Sequence, residues 1–199
     1  MSGFVVYEIL SEWPVSKAIL TWAPDRFVHA LGITGSMMNF ASATIMFVVF
    51  PALMFLFVAA LGKLASGREA APFGATVKTF ALLLLPTMAG AHIIKSMLKM
   101  TPRIPYWRHA FSDPRGVATA RRIVDATLVL DKSVPDALYP AVSLAAATVL
   151  LAALVATVLI FRRSASVRKL NSGTRVVVLL GVLAYWYIFG WTIFKWRFC

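Results

Sequence analysis

The sequence predicts an all-α, polytopic membrane protein with four transmembrane helices and amphipathic helices at the bilayer surface. Three observations predict it. The 199 residues are 60% apolar with a mean hydropathy of +0.79, whereas soluble domains are roughly 45–50% apolar. Long apolar runs with few charges recur along the chain, each able to cross a hydrocarbon layer of about 30 Å. The charges gather between those runs, 20 Lys+Arg against 8 Asp+Glu, for a net +12. In a soluble chain such a surplus would suggest nucleic acid. Beside hydrophobic spans, bases serve as topology signals and as contacts to anionic headgroups, so nucleic acid is not an expected partner.

Residues 1–37 read as an interfacial amphipathic segment. Phe4 to Leu20 looks helical but carries Glu8, Glu12 and Lys17 beside Tyr7, Trp13 and Trp22, and Pro14 interrupts it. Charges this frequent oppose crossing, while the aromatics suit a helix lying at headgroup depth. Trp22-Ala23-Pro24-Asp25 reads as a turn, with Asp25 the N-cap of a short helix through His29 and Leu31. Gly32 and Gly35 lead onward. The start lacks the basic stretch of a cleaved signal peptide, so insertion is expected to rely on the first span.

Residues 38–199 hold the bundle. The first span covers about Met38 to Leu61 with Pro51 near its centre, and the second Val77 to Met100 with Pro86 at mid-depth. Proline is tolerated in membrane helices because neighbours re-satisfy the freed carbonyl, and it commonly bends them. Packing accounts for the two prolines more simply than a gating hinge. Residues 101–137 form a long loop too polar to cross. It opens with TPRIPYWRHAFSDPRG and continues with Ile123, Ala126, Leu128 and Leu130 set among Arg121, Arg122, Asp125 and Asp131. That mixture fits an amphipathic interfacial helix or a folded cap. The third span, about Leu138 to Phe161, offers Ser143, Ala147 and Ala153 for close helix approach. The fourth, about Val176 to Phe194, ends in an expected interfacial belt of Tyr185, Trp186, Tyr187, Trp191 and Trp196.

Four spans place the loops 62–77 and 162–175 on one side and both termini on the other. The side of the two loops carries Lys63, Arg68, Lys78, Arg162, Arg163, Arg168, Lys169 and Arg175 with Glu69 as the one acid. Dense positive charge in short loops marks the cytoplasmic side. The same topology puts His29, His92, His109, several methionines and Cys199 together on the opposite side.

The candidate chemistry follows from that placement. An ionisable group within a span usually faces other helices or a wet cavity, which makes His92 the first candidate, with His29 and His109 beside it. Two imidazoles could hold a haem axially, and imidazole with thioether sulfur suits copper. A quinone or proton-relay contact and a plain hydrogen bond to a neighbouring helix are the other readings of His92, and the hydrogen bond is the simplest. No metal-ligand spacing supports a metal set. Lys95 and Lys99 share a helix face with His92, either clamping an anionic headgroup or snorkelling to the interface. Arg103, Trp107 and Arg108 are expected lipid or partner contacts. No residue is assigned as catalytic, since GxSxG, HExxH, P-loop and GxGxxG patterns are all missing.

The stretches YEILSEWPVSKAILTWAP, VVFPALMFLFVAAL and FGATVKTFALLLLPTMAGAH, the long connection, and two closing helices ending in WTIFKW together resemble the C-terminal membrane half of bacterial membrane-bound polyferredoxins. The likeness runs over nearly the whole chain and rests on hydropathy and on proline and histidine placement. It implies a bacterial inner membrane and an electron-transfer setting. In that family electrons pass through cysteine-bound iron–sulfur clusters. The lone Cys199 rules out a self-contained cluster here, leaving His92 as the residue to carry over. The resemblance therefore implies a cluster-free module working beside a separate redox subunit. The expected function is an accessory or anchor subunit of a respiratory or redox membrane complex, not an enzyme by itself, with a haem, quinone or copper open as cofactor. The alternative is a non-redox transport, assembly or scaffold subunit.

Overall fold

The computed structural model describes Tyr7, residues 14–67 and residues 71–198. Glu8, Glu12, Trp13, Arg68, Glu69 and Cys199, which enter the sequence reading, lie outside the described residues. Every regular element among the described residues is helical. Four stretches are long and apolar enough to cross a bilayer: Met37–Ser66, Phe73–Ala110, Ser133–Arg163 and Ser172–Lys195. The chain is thus a multi-pass, all-α integral membrane protein.

The first correction falls at the N-terminal side. Pro14–Ala30 is one helix (α1) with Pro24 inside it, not an interrupted segment followed by a turn. Pro14 starts the helix instead of breaking it, because its fixed φ and missing N–H cost nothing in a first turn. Pro24 removes one internal bond, but its side chain and that of Val28 are buried, and Asp25 is mid-helix rather than an N-cap. Gly32 and Gly35 both adopt φ +67°, a conformation that glycine reaches without penalty, and they turn the chain into the first span.

The irregularity in that span lies just before its proline. Ser36–Thr44 (α2) passes through a π-helical turn, Ile45–Val49, into Phe50–Ser66 (α3). There the Phe50 N–H reaches back to the Ile45 carbonyl, a wider turn of the kind found at helix irregularities. Gly67, at φ +56°, closes the helix. The second span begins as Phe73–Met100 (α4) with Pro86 inside. It runs on through a 3-10 turn, Thr101–Tyr106, and a short helix, Trp107–Ala110 (α5). Arg103, Trp107 and Arg108 therefore lie on a helical extension and not in an open loop. Val117–Val124 (α6) is the amphipathic helix of the connection, shorter than its sequence pattern suggests. Ser133–Arg163 (α7), Ala165–Arg168 (α8) and Ser172–Phe198 (α9) complete the order.

The chain divides into two compact units, Met1–His92 with Leu150–Cys199, and Ile93–Val149. The first has an apolar core in which the Phe80 ring meets Phe55 at 5.1 Å and Tyr185 at 6.2 Å, and Tyr185 meets Phe189 at 6.0 Å. Gly181 makes the room, since a Cβ there would stand 3.1 Å from the Phe80 ring. Tyr185 and Trp186 consequently turn inward, and the Trp186 Nε1 donates to the Leu150 carbonyl at 2.9 Å. They leave the expected aromatic belt. Tyr187, Trp191 and Phe194 face outward and stack. The small-residue reading of the third span shifts too: Ala146 and Ala153 are buried, while Ala147 is exposed.

Candidate functional site

Two polar constellations lie inside the first unit, and of their residues sequence reasoning singled out Pro86 alone. The first joins the end of α3 to the start of α9. Asn171 precedes α9 and its Oδ1 accepts the Thr174 N–H at 3.1 Å, the N-cap geometry that satisfies an otherwise orphaned donor. The same oxygen accepts from the Ser66 hydroxyl at 2.6 Å. Thr174 donates its hydroxyl to the Gly62 carbonyl at 3.1 Å, and its Oγ1 stands 2.8 Å from Ser66 Oγ. Two hydroxyl protons thus serve three polar contacts, so the rotors share them. Close backbones make this possible: a Cβ on Gly173 would sit 2.6 Å from the Ala65 carbonyl oxygen. Small residues and hydroxyls at helix crossings are how membrane helices bind one another where apolar burial gives no drive.

The second constellation surrounds Pro86. Proline lacks the N–H that would bond the Leu82 carbonyl, and its ring crowds that carbonyl. One residue on, Leu83 offers its carbonyl to the Thr157 hydroxyl of the third span at 3.3 Å. Thr87, whose hydroxyl could otherwise fold back on Leu83, is fully buried, and its Oγ1 has no hydrogen-bond partner. Along α4 the buried positions Thr76, Phe80, Leu83, Thr87 and Ala91 recur at the spacing of one helix face. The signal for both constellations was visible, as Thr and Gly placed within apolar runs.

The residues expected from sequence are distributed as follows. His92 lies on α4 and is exposed; His29 is exposed in the last turn of α1. His109 is half-buried, and its Nε2 accepts from Arg108 Nε at 3.1 Å, which leaves the ring proton to Nδ1 when the imidazole is neutral. Among the described residues no group of three or more His, Cys, Asp or Glu side chains could hold a metal ion. Lys95 is 7% exposed, and Lys99, one turn on, is half-buried. Arg103, Trp107 and Arg108 are exposed.

The connection in the second unit orders itself locally. Asp113 Oδ2 accepts the Thr119 N–H at 2.6 Å, and Asp131 Oδ1 accepts the Ser133 N–H at 2.9 Å at the start of α7. The Thr119 backbone N–H, then its hydroxyl, hold Asp113 below the ordinary carboxylate range. The Ser133 hydroxyl, then its N–H, do the same for Asp131. Asp113 also edges an open depression lined by Ser112, Arg115, Val117 and Arg121.

These features define a helical membrane bundle with interhelical polar locks. In comparison with known proteins, no family model, curated protein or solved structure matches the chain.

Proposed function

We propose that this protein is a membrane-embedded accessory or anchor subunit of a larger assembly. The observation that carries this reading is how much apolar surface its spans turn outward. Only 22%, 17% and 33% of the most apolar stretches of the first, third and fourth spans are buried, against 50% for the second. Outward apolar faces meet lipid or the helices of neighbours, and the stacked Tyr187, Trp191 and Phe194 add aromatic area of the type that anchors interfaces.

Within that reading we place the chain in a respiratory or redox complex, with the His92 imidazole serving a quinone, haem or proton path. Support comes from the resemblance of the sequence to the polyferredoxin membrane half and from an exposed imidazole on a spanning helix. The test is His92→Leu. Loss of the partner's electron-transfer activity with co-purification of the complex intact is expected. Unchanged activity would leave His92 a packing residue. An absorption spectrum and elemental analysis of the purified protein decide separately for haem, copper or iron.

A transport or assembly role is the second reading. It is favoured by the two irregular helices, the π-turn ahead of Pro51 and the proline-containing α4, together with the buried Lys95. Stoichiometric redox partners in a pull-down would count against it.

A further inference from the structure

A cluster of basic residues lies at the end of the first unit where α3, α7, α8 and α9 begin or finish. Arg162 and Arg163 close α7, Arg168 ends α8, and Lys169 and Arg175 flank the start of α9. Lys63 and Lys78 belong to the adjoining ends of the first and second spans. No Asp or Glu occurs anywhere after Asp136, and no carboxylate is found among the described residues of this end. Arg175 lies in the first turn of α9, where the helix dipole is already positive. Glu69, the one acid of these loops in sequence, lies outside the described residues, so among the described residues the cations concentrate here without a carboxylate counterion.

The connection that carries them is braced. Arg175 donates through Nε to the Leu170 carbonyl at 2.6 Å and through Nη2 to the Arg168 carbonyl, and Arg168 Nη2 reaches the Arg163 carbonyl at 3.4 Å. Val167 and Leu170 are each 2% exposed, so the turn is seated on the bundle. Arg162, Arg163 and Lys169 are exposed above it. On the helices that end or begin here Leu64, Leu159 and Val176 are also exposed.

We propose that this end binds anionic phospholipid headgroups. Arg162, Arg163 and Lys169 contact the lipid phosphate, Arg168 and Arg175 hold the turn that presents them, and the exposed aliphatic side chains receive the acyl chains. A basic cluster immediately flanking a span is the setting in which anionic lipid is recruited, and arginine pairs with phosphate through parallel N–H donors.

The experiment compares spin-labelled phosphatidylglycerol with phosphatidylcholine around the purified protein in mixed vesicles. The wild-type protein is expected to immobilise the anionic lipid several-fold in preference. R162Q/R163Q/K169Q should bring the two lipids near parity, R162K/R163K/K169R should keep the preference, and R121Q/R122Q in the other unit should leave it unchanged. Thermal melting of each variant checks folding; should the triple glutamine variant not fold, the single R162Q and K169Q proteins must each lower the preference. Parity in the wild type, an unaltered triple variant, or an equal loss in R121Q/R122Q would overturn the proposal. So would displacement of the labelled lipid by millimolar inorganic phosphate at constant ionic strength, which would assign the site to the free anion.

Discussion

The seam between α3 and α9 and the connection from Thr101 to Ser133 are both polar stretches of a greasy chain, yet they are ordered in opposite ways. In the seam, residues separated by 105 to 112 positions share hydrogen bonds. In the connection, Asp113, Ser112, Thr127 and Asp131 bond partners between two and six positions away. The seam needs the whole bundle to exist, whereas the connection needs only its own turns. In the connection, large apolar residues remain exposed, with Phe111 at 96% and Val124 at 83%. In the seam, Gly62 and Thr174 are buried. Backbone proximity, and not hydrophobicity, separates the two.

The contrast can be broken most severely at Gly173. Gly173→Val forces a side chain against the Ala65 carbonyl, a backbone atom that cannot swing aside. Overpacking of this kind costs about 1–3 kcal/mol, so the thermal midpoint in detergent should fall markedly, and α9 should become accessible to protease. Asp113 sharpens the comparison from the other side. Its folded pKa lies below the ordinary 3.8, so its contribution is present above that value and lost as pH falls through the depressed one. Amide exchange at Thr119 should accelerate over that window, Asp113→Ala should flatten the pH dependence, and the seam should not respond. The smallest effects are expected at Pro86. Thr157→Val removes the bond to Leu83 and should cost about 0.6 kcal/mol, the average for interhelical hydrogen bonds in membranes. Thr87→Val removes a buried hydroxyl that has no partner, and should leave the melting temperature level or slightly raised.

The class of fold was legible from the sequence because hydrophobic runs of bilayer length have few other uses. All four spans appear where the runs are, although α7 begins at Ser133, earlier than hydropathy suggests, because Asp131 receives the Ser133 N–H and polar first turns are well capped. Proline was the weakest guide. Pro14 and Pro24 looked alike on paper, but one begins a helix and the other sits inside it, a distinction set by tertiary burial of Pro24 and Val28. The aromatic belt was half legible: Tyr185 and Trp186 are neighbours of Tyr187, and only the space left by Gly181 decides which rings turn inward. Histidines and lysines drew attention as ionisable groups. The hydroxyls of Ser66, Thr157 and Thr174 escaped it because threonine in an apolar run carries no charge, and its partner lies on another helix.

The distance in sequence between the two halves of the seam bears on biogenesis. Gly62 and Ser66 are made more than a hundred residues before Asn171 and Thr174 emerge from the ribosome. Until the last helix has left the translocon, the carbonyl and hydroxyl at the end of the first must find temporary company, in water at the headgroup layer or in a chaperone. A nascent chain halted before α9 should therefore be inserted yet unlatched, and quality-control proteases would meet it in that form.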